Sequence, residues 1–112
     1  MISPIDPMKK IKAIKQGPSI VGYIDGKDIY RGNPGIISMM LLSKKMGTVG
    51  QLPYEFKFDQ SNNKLLLRRD CVVKISQNIA YTKEGNKLFE VENGTPIEIA
   101  TVAATLFNIK KA

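Results

Sequence analysis

Cys71 is the one thiol in the chain, and Arg68, Arg69 and Lys74 stand close to it in sequence. Cations at that range lower a thiol pKa and make a nucleophile or redox centre. Cys71 also opens the apolar run Cys71-Val72-Val73, where cysteine serves as a small core hydrophobe, and that reading is preferred. The chain contains no histidine, which removes the commonest general base and the usual activator of serine and cysteine nucleophiles. A zinc site of the usual nitrogen and sulfur type is excluded with it, and a single cysteine excludes an intrachain disulfide.

Ten carboxylates are scattered among turns and strands. Asp25 and Asp28 flank a turn, and Glu90 and Glu92 sit at alternate positions of one segment. Either pair has the make-up to bind a divalent ion or act as an acid/base couple, but turn formation and a solvated strand face explain both. No P-loop and no Gly-x-Gly-x-x-Gly is present. Gly47-Thr48-Val49-Gly50 has the Gly-x-x-Gly form with which KH domains clamp a nucleic-acid backbone. There it joins two helices, whereas here a strand-like segment with Pro53 follows, so a helix end plus loop is preferred. No enzyme, cofactor or metal is expected.

Net charge is +7 with a pI near 9.6, a balance that favours contact with nucleic acid, an anionic surface or an acidic partner. Lys9, Lys10, Lys12 and Lys15 make the most basic window. Arg31, Arg68, Arg69 and Lys74 are the further candidate phosphate contacts, with Tyr23, Tyr30, Lys57, Tyr81 and Lys83 as basic and aromatic residues on strands. Against this, all four phenylalanines and Tyr54 fall at positions expected to face the core, and tryptophan is absent.

The elements that must position these residues follow from local signals. Asn33 caps a helix over residues 34–46, Pro34 takes its first position, Lys44 and Lys45 suit its last turn, and Gly47 closes it. Ile36, Ile37, Met39, Met40, Leu41, Leu42 and Met46 cover more than one of its faces, as expected of a helix buried between layers or against a partner. This segment is therefore taken as the hub of the fold. A second helix over residues 96–109 is announced by Thr95-Pro96-Ile97-Glu98, a capping box with proline at the first helical position. Its β-branched Ile97, Ile99, Thr101 and Val102 leave a strand as the rival.

Residues 8–16 are ambiguous: Met8, Ile11 and Ile14 fit a helical stripe, while strand alternation fits poorly. Gly17-Pro18 then breaks the segment. Ser19 to Arg31 reads as a hairpin around a type I′ turn at Asp25-Gly26, with Gly22 marking a bulge or a close backbone approach. Tyr54, Phe56 and Phe58 alternate with polar residues as a half-buried strand. Across the 60–63 turn, Lys64 to Arg68 returns with Leu65, Leu66 and Leu67 unalternated, as if both faces were covered. A short β-rich piece spans 71–75, and a third hairpin turns at Lys83-Glu84-Gly85-Asn86.

The whole is a single domain, 1–112, with residues 1–16 as a basic N-terminal arm or first element. Its class is α+β: an antiparallel, hairpin-built sheet, strongly curved or partly barrel-like, with two helices. No run of apolar residues reaches a membrane span, and the first residues do not form a secretory signal, so an intracellular or virion location is expected. The leading expectation is a non-enzymatic structural subunit of a larger assembly, such as a virion component. It would meet other copies or other subunits through Met39, Met40, Leu42 and Met46. A small basic nucleic-acid-binding protein is the alternative.

Overall fold

The computed structural model describes residues 11–32 and 44–109. Among the described residues nine strands form one antiparallel sheet: β1 (Ile11–Gln16), β2 (Ser19–Asp25), β3 (Asp28–Arg31), β4 (Lys44–Thr48), β5 (Phe56–Asp59), β6 (Lys64–Leu67), β7 (Asp70–Ser76), β8 (Ile79–Tyr81) and β9 (Lys87–Val91). Their order is β4-β3-β2-β1-β9-β8-β7-β6-β5, two meanders joined where β1 pairs with β9. One helix, α1 (Pro96–Thr105), is present among the described residues.

Strand β4 lies at one edge of the sheet and β5 at the other, yet both lie against α1. The sheet therefore curls around the helix without its edges meeting, and it is an open, strongly curved sheet rather than a closed barrel. Seven consecutive helical residues, Glu98 to Ala104, are buried, as expected only of a helix enclosed on all sides. Ile14, Ile24, Ile29, Leu65, Val73, Phe89 and Val91 reach it from the sheet. Among the described residues α1 is therefore the hub; most of the segment expected to take that part, 34–46, lies outside them.

Alanines at 100, 103 and 104 give α1 a slim body, and glycines on the strands let the sheet close in. A Cβ on Gly47 would stand 2.8 Å from Thr105 Cγ2, and one on Gly22 3.0 Å from Leu106 Cδ2 and 2.6 Å from Tyr30 O. Close approach at Gly22 agrees with the expectation for it, and the adjoining β1–β2 register shifts between Ile14 and Lys15. Thr101, fully buried, donates its hydroxyl to Ile97 O at 2.7 Å and accepts the Gly50 N–H at 3.0 Å. That bond ties the helix to the loop after β4.

At the helix start, the Thr95 N–H is accepted by Glu98 Oε1 at 2.8 Å, the carboxylate arm of the expected capping box. The helix stops at Thr105, four residues before the expected end at 109. Asn108 takes a left-handed φ of 49°, and the Ile109 N–H folds back to Ala103 O at 3.0 Å. A short polar side chain tolerates that conformation, so asparagine here plays the part glycine usually plays.

Three local expectations change. The helix over 34–46 is not supported at its C-terminal end: Lys44, Lys45 and Met46 lie on β4, and Gly47 is a strand residue opposite Ile29. Residues 34–43 lie outside the described residues. Lysines suit a helix C-terminus and an edge strand equally, since on an edge their charge discourages pairing with other chains. Residues 11–16 are a strand, sandwiched by β2 and β9. Their alternation is poor because both faces are used, with Ala13 buried on one and Ile14 on the other. In the β2–β3 hairpin Asp25 pairs with Asp28, so the loop residues are Gly26 and Lys27. Gly26 takes the positive φ, 66°, which is the pattern of a type II′ turn with glycine first.

Candidate interaction surface

The open edge at β5 collects the least explained polar and aromatic groups. Tyr54, expected to face the core, is fully exposed. The Phe56 N–H bonds to Pro53 O at 2.9 Å, so Tyr54 and Glu55 are the middle of a turn and the strand starts only at Phe56. Beside Tyr54, Arg68 Nε donates to Glu55 Oε1 at 2.6 Å. Two adjoining clefts, of about 460 and 600 Å³, share Tyr54, Glu55, Phe56 and Arg68 in their walls. Arg68, in the β6–β7 turn, holds a left-handed φ of 65°.

Antiparallel ladders alternate residues whose backbone groups face the neighbour with residues whose groups face away. The Arg68 N–H bonds to Glu55 O at 2.9 Å, and the β5–β6 register runs without a shift from Phe56↔Leu67 to Asp59↔Lys64. Lys57 and Asp59 therefore face β6 with their backbone groups, while those of Phe56 and Phe58 point outward. Pro53 takes the Phe56 N–H; the Phe58 N–H and C=O are presented at the edge.

The outer face of the sheet carries a second feature. Asp59, Lys64, Lys74, Tyr81 and Lys87 lie opposite one another in turn across β5 to β9. Directly opposed residues share a face, and exposed Lys74 stands between inward Val73 and Ile75, so the row faces outward. Glu90 Oε1 accepts Lys87 Nζ at 2.7 Å, which holds the Glu90 carboxyl below its usual pKa. Asp59 is occupied by its own turn: Asn62 donates its side-chain amide at 2.8 Å and its backbone N–H at 3.3 Å.

These bonds hold the Asp59 carboxyl below its ordinary value of 3.8, the Asn62 side chain being the largest cause. A lowered folded-state pKa contributes stability that is present above the unfolded value and lost as pH falls through the folded one. The expected outcome is a carboxyl carbon titration of Asp59 with a midpoint below 3.8, with the Asn62 amide proton losing protection over that same range. A midpoint at or above the ordinary value would contradict the geometry of the 60–63 turn.

The sequence-predicted contacts do not form one surface. Lys12 Nζ bonds both Glu98 oxygens, at 2.9 and 3.0 Å, and pins β1 to the start of α1. Lys15 pairs with Glu92 at 3.0 Å. Arg31 donates to Leu106 O at 3.2 Å. Arg68 pairs with Glu55, while Arg69 and Lys74 are exposed and make no ion pair among the described residues. Lys9 and Lys10 lie outside the described residues, as do Met39, Met40 and Leu42. Met46 packs partly buried against this chain's own core. Tyr23 is buried and its ring stacks on Tyr30 at 5.1 Å, so it offers no free ring face. Lys64 gains its place only from the β6–β7 register, which sets it opposite Lys74.

Cys71 is half-buried, with its thiol 3.6 Å from Val73 O, and among the described residues no three acidic, cysteine or histidine groups gather as metal ligands. No described helix is long and apolar enough to cross a membrane. No protein-family model matches the chain, and no match was found among curated proteins or solved structures.

Proposed function

We propose that the protein is a non-enzymatic structural subunit that joins other protein chains through the β5 edge, a second copy of itself first. The observation that carries this reading is the self-complementarity of that edge. A two-fold axis at Phe58 pairs its outward N–H and C=O with the same groups of the partner's Phe58. On the outer face it sets Lys57 opposite the partner's Asp59, and Asp59 opposite the partner's Lys57. Opposite charges directly across a strand pair favour that register by about 0.2–1 kcal/mol each. The same axis brings the exposed Tyr54 near the partner's 60–63 turn; tyrosine is among the residues that dominate binding energy at protein interfaces. A short edge of this kind gives a reversible contact, one of several in an assembly rather than an obligate dimer.

Charge reversal tests it. Light scattering across a dilution series to about 100 μM should show a concentration-dependent dimer. K57E sets like charges against Asp59 and should weaken the dimer by about tenfold. The charge-swapped K57E/D59K should restore it in part, since D59K also gives up the Asn62 bonds of the 60–63 turn. A monomer throughout, or a swap that recovers none of what K57E loses while the fold is intact by circular dichroism, would overturn the proposal.

A further inference from the structure

We infer that the outer face of β6 to β8, built on Lys64, Lys74 and Tyr81, binds the phosphate backbone of single-stranded nucleic acid. Lys64 and Lys74 are direct cross-strand partners. Like charges in that position oppose sheet formation, with the same order of magnitude by which opposite charges favour it. Five other cations, Lys12, Lys15, Lys45, Arg68 and Lys87, are matched by a carboxylate. Neither Lys64 nor Lys74 is so matched among the described residues. Asp59, directly opposite Lys64 on β5, lends that ammonium its charge while its oxygens bond Asn62, and Lys74 has only Lys64 and Tyr81 as its cross-strand partners. The row thus sets two adjacent ammonium groups against one carboxylate, and a bound anion would offset the charge left over.

The neighbours decide which anion. Tyr81 is opposite Lys74 and half-exposed, with exposed Lys87 beyond it and exposed Lys83 in the next turn. On the other side, exposed Lys57 sits one outward position from Asp59 on β5. Strands are spaced by about 4.8 Å, so the row from Lys64 through Lys74 and Tyr81 to Lys87, which also holds Glu90, extends about 14 Å in a line. A linear array of cations with an aromatic ring in it fits a polymer that alternates phosphates with stackable bases. A compact phosphate needs no such length, and an acidic peptide has no use for the ring. This site is on the outer face rather than the β5 edge, and it stands whether or not two copies pair there.

The test uses fluorescence anisotropy of a labelled oligothymidylate of about 20 nucleotides at several salt concentrations, with unlabelled poly-glutamate as competitor. Wild-type protein should bind, with affinity falling as salt rises. K64Q/K74Q should bind about tenfold or more weakly and show a log–log salt slope shallower by about 1.4, the value for two phosphate contacts on a single strand. Y81L should weaken binding several-fold with the slope unchanged, as loss of stacking predicts. Lys27→Gln, at the tip of the β2–β3 turn, is the control for a positive charge removed away from the row and should change little. K64Q/K74Q removes the Lys64–Lys74 repulsion together with the Lys64–Asp59 attraction, so its melting temperature should stay close to that of wild type, which separates lost binding from lost fold. No binding at low salt, an unchanged slope in K64Q/K74Q, an equal loss in Lys27→Gln, or competition by poly-glutamate at equal charge concentration would each overturn the assignment.

Discussion

Phe89→Ala is expected to cost about 3–5 kcal/mol of folding stability, enough to leave the chain largely unfolded if its total lies at the low end of the usual ~5–15 kcal/mol. Phe89 is fully buried on β9, opposite Ala80, and its ring stacks on Phe107 at 4.5 Å with an interplanar angle of 17°. Its strand also carries the pairing with β1 that joins the two meanders. Truncation therefore opens a cavity between the sheet and the C-terminal end of α1, at the seam where collapse is most constrained. Alanine at Phe58, half-buried on the edge strand β5, removes the same atoms where water and side chains can fill the gap, and should cost clearly less. Urea unfolding followed by circular dichroism measures both. A loss at Phe89 no greater than at Phe58 would mean that the two meanders do not share one core.

What could be read from sequence divides along the range of the interactions that decide it. The turns at 60–63 and 83–86 and the start of α1 are set by neighbours in the chain. Asp59 and Asn62 close one turn, and Thr82 accepts the Asn86 N–H in another. The Thr95–Glu98 signal is complete within four residues. These were legible, as was the α+β class with its hairpin-built, curved sheet. The segment Lys44-Lys45-Met46-Gly47 was not, because each residue suits either a helix end or an edge strand. Only pairing with β3, at Tyr30↔Lys45 and Ile29↔Gly47, settles it. The central place of α1 is hard to read from sequence for a related reason. Met and Leu advertise burial more loudly than Ala, yet the small residues of α1 are what let nine strands curl about one helix.

The candidate surfaces show the same limit. Lys74 was visible as a cation, but its weight comes from Lys64 on the facing strand, ten residues earlier and out of phase by a register shift between Leu65 and Leu66. Tyr54 fits the alternation of a strand, and one bond from the Phe56 N–H to Pro53 O turns it out to solvent. Lys12 resembles a phosphate ligand in a basic window, and its role emerges only when Glu98, 86 residues away, is found against it. Charge counts therefore overstate the free cations near β1 and understate the organised ones on β6 and β7.

The grip of the sheet on α1 yields the second large expected effect. Gly47→Ala places a Cβ 2.8 Å from Thr105 Cγ2 and 3.1 Å from Thr105 Cβ, and overpacking of this kind costs about 1–3 kcal/mol. Thr105 has little room to yield, since its hydroxyl donates to Thr101 O at 2.7 Å and fixes its rotamer. Thr105→Ser keeps that bond and deletes the methyl group in closest contact. The Gly47→Ala/Thr105→Ser pair should therefore recover part of the loss, with a coupling of about 1 kcal/mol in a double-mutant cycle. Gly22→Ala provides the contrast. Its Cβ would meet Tyr30 O, a backbone atom, at 2.6 Å, with Leu106 Cδ2 at 3.0 Å. No side-chain truncation removes a carbonyl, so Leu106→Ala should fail to rescue it. The backbone of β3 must move instead, which loosens the β2–β3 pairing itself. Rescue at Gly47 without rescue at Gly22 is the signature of strands held against the helix by missing side chains at both positions, but limited by a methyl group at one and by the sheet at the other. Equal rescue at both, or none at Gly47, would place the strands farther from α1 than the glycines imply.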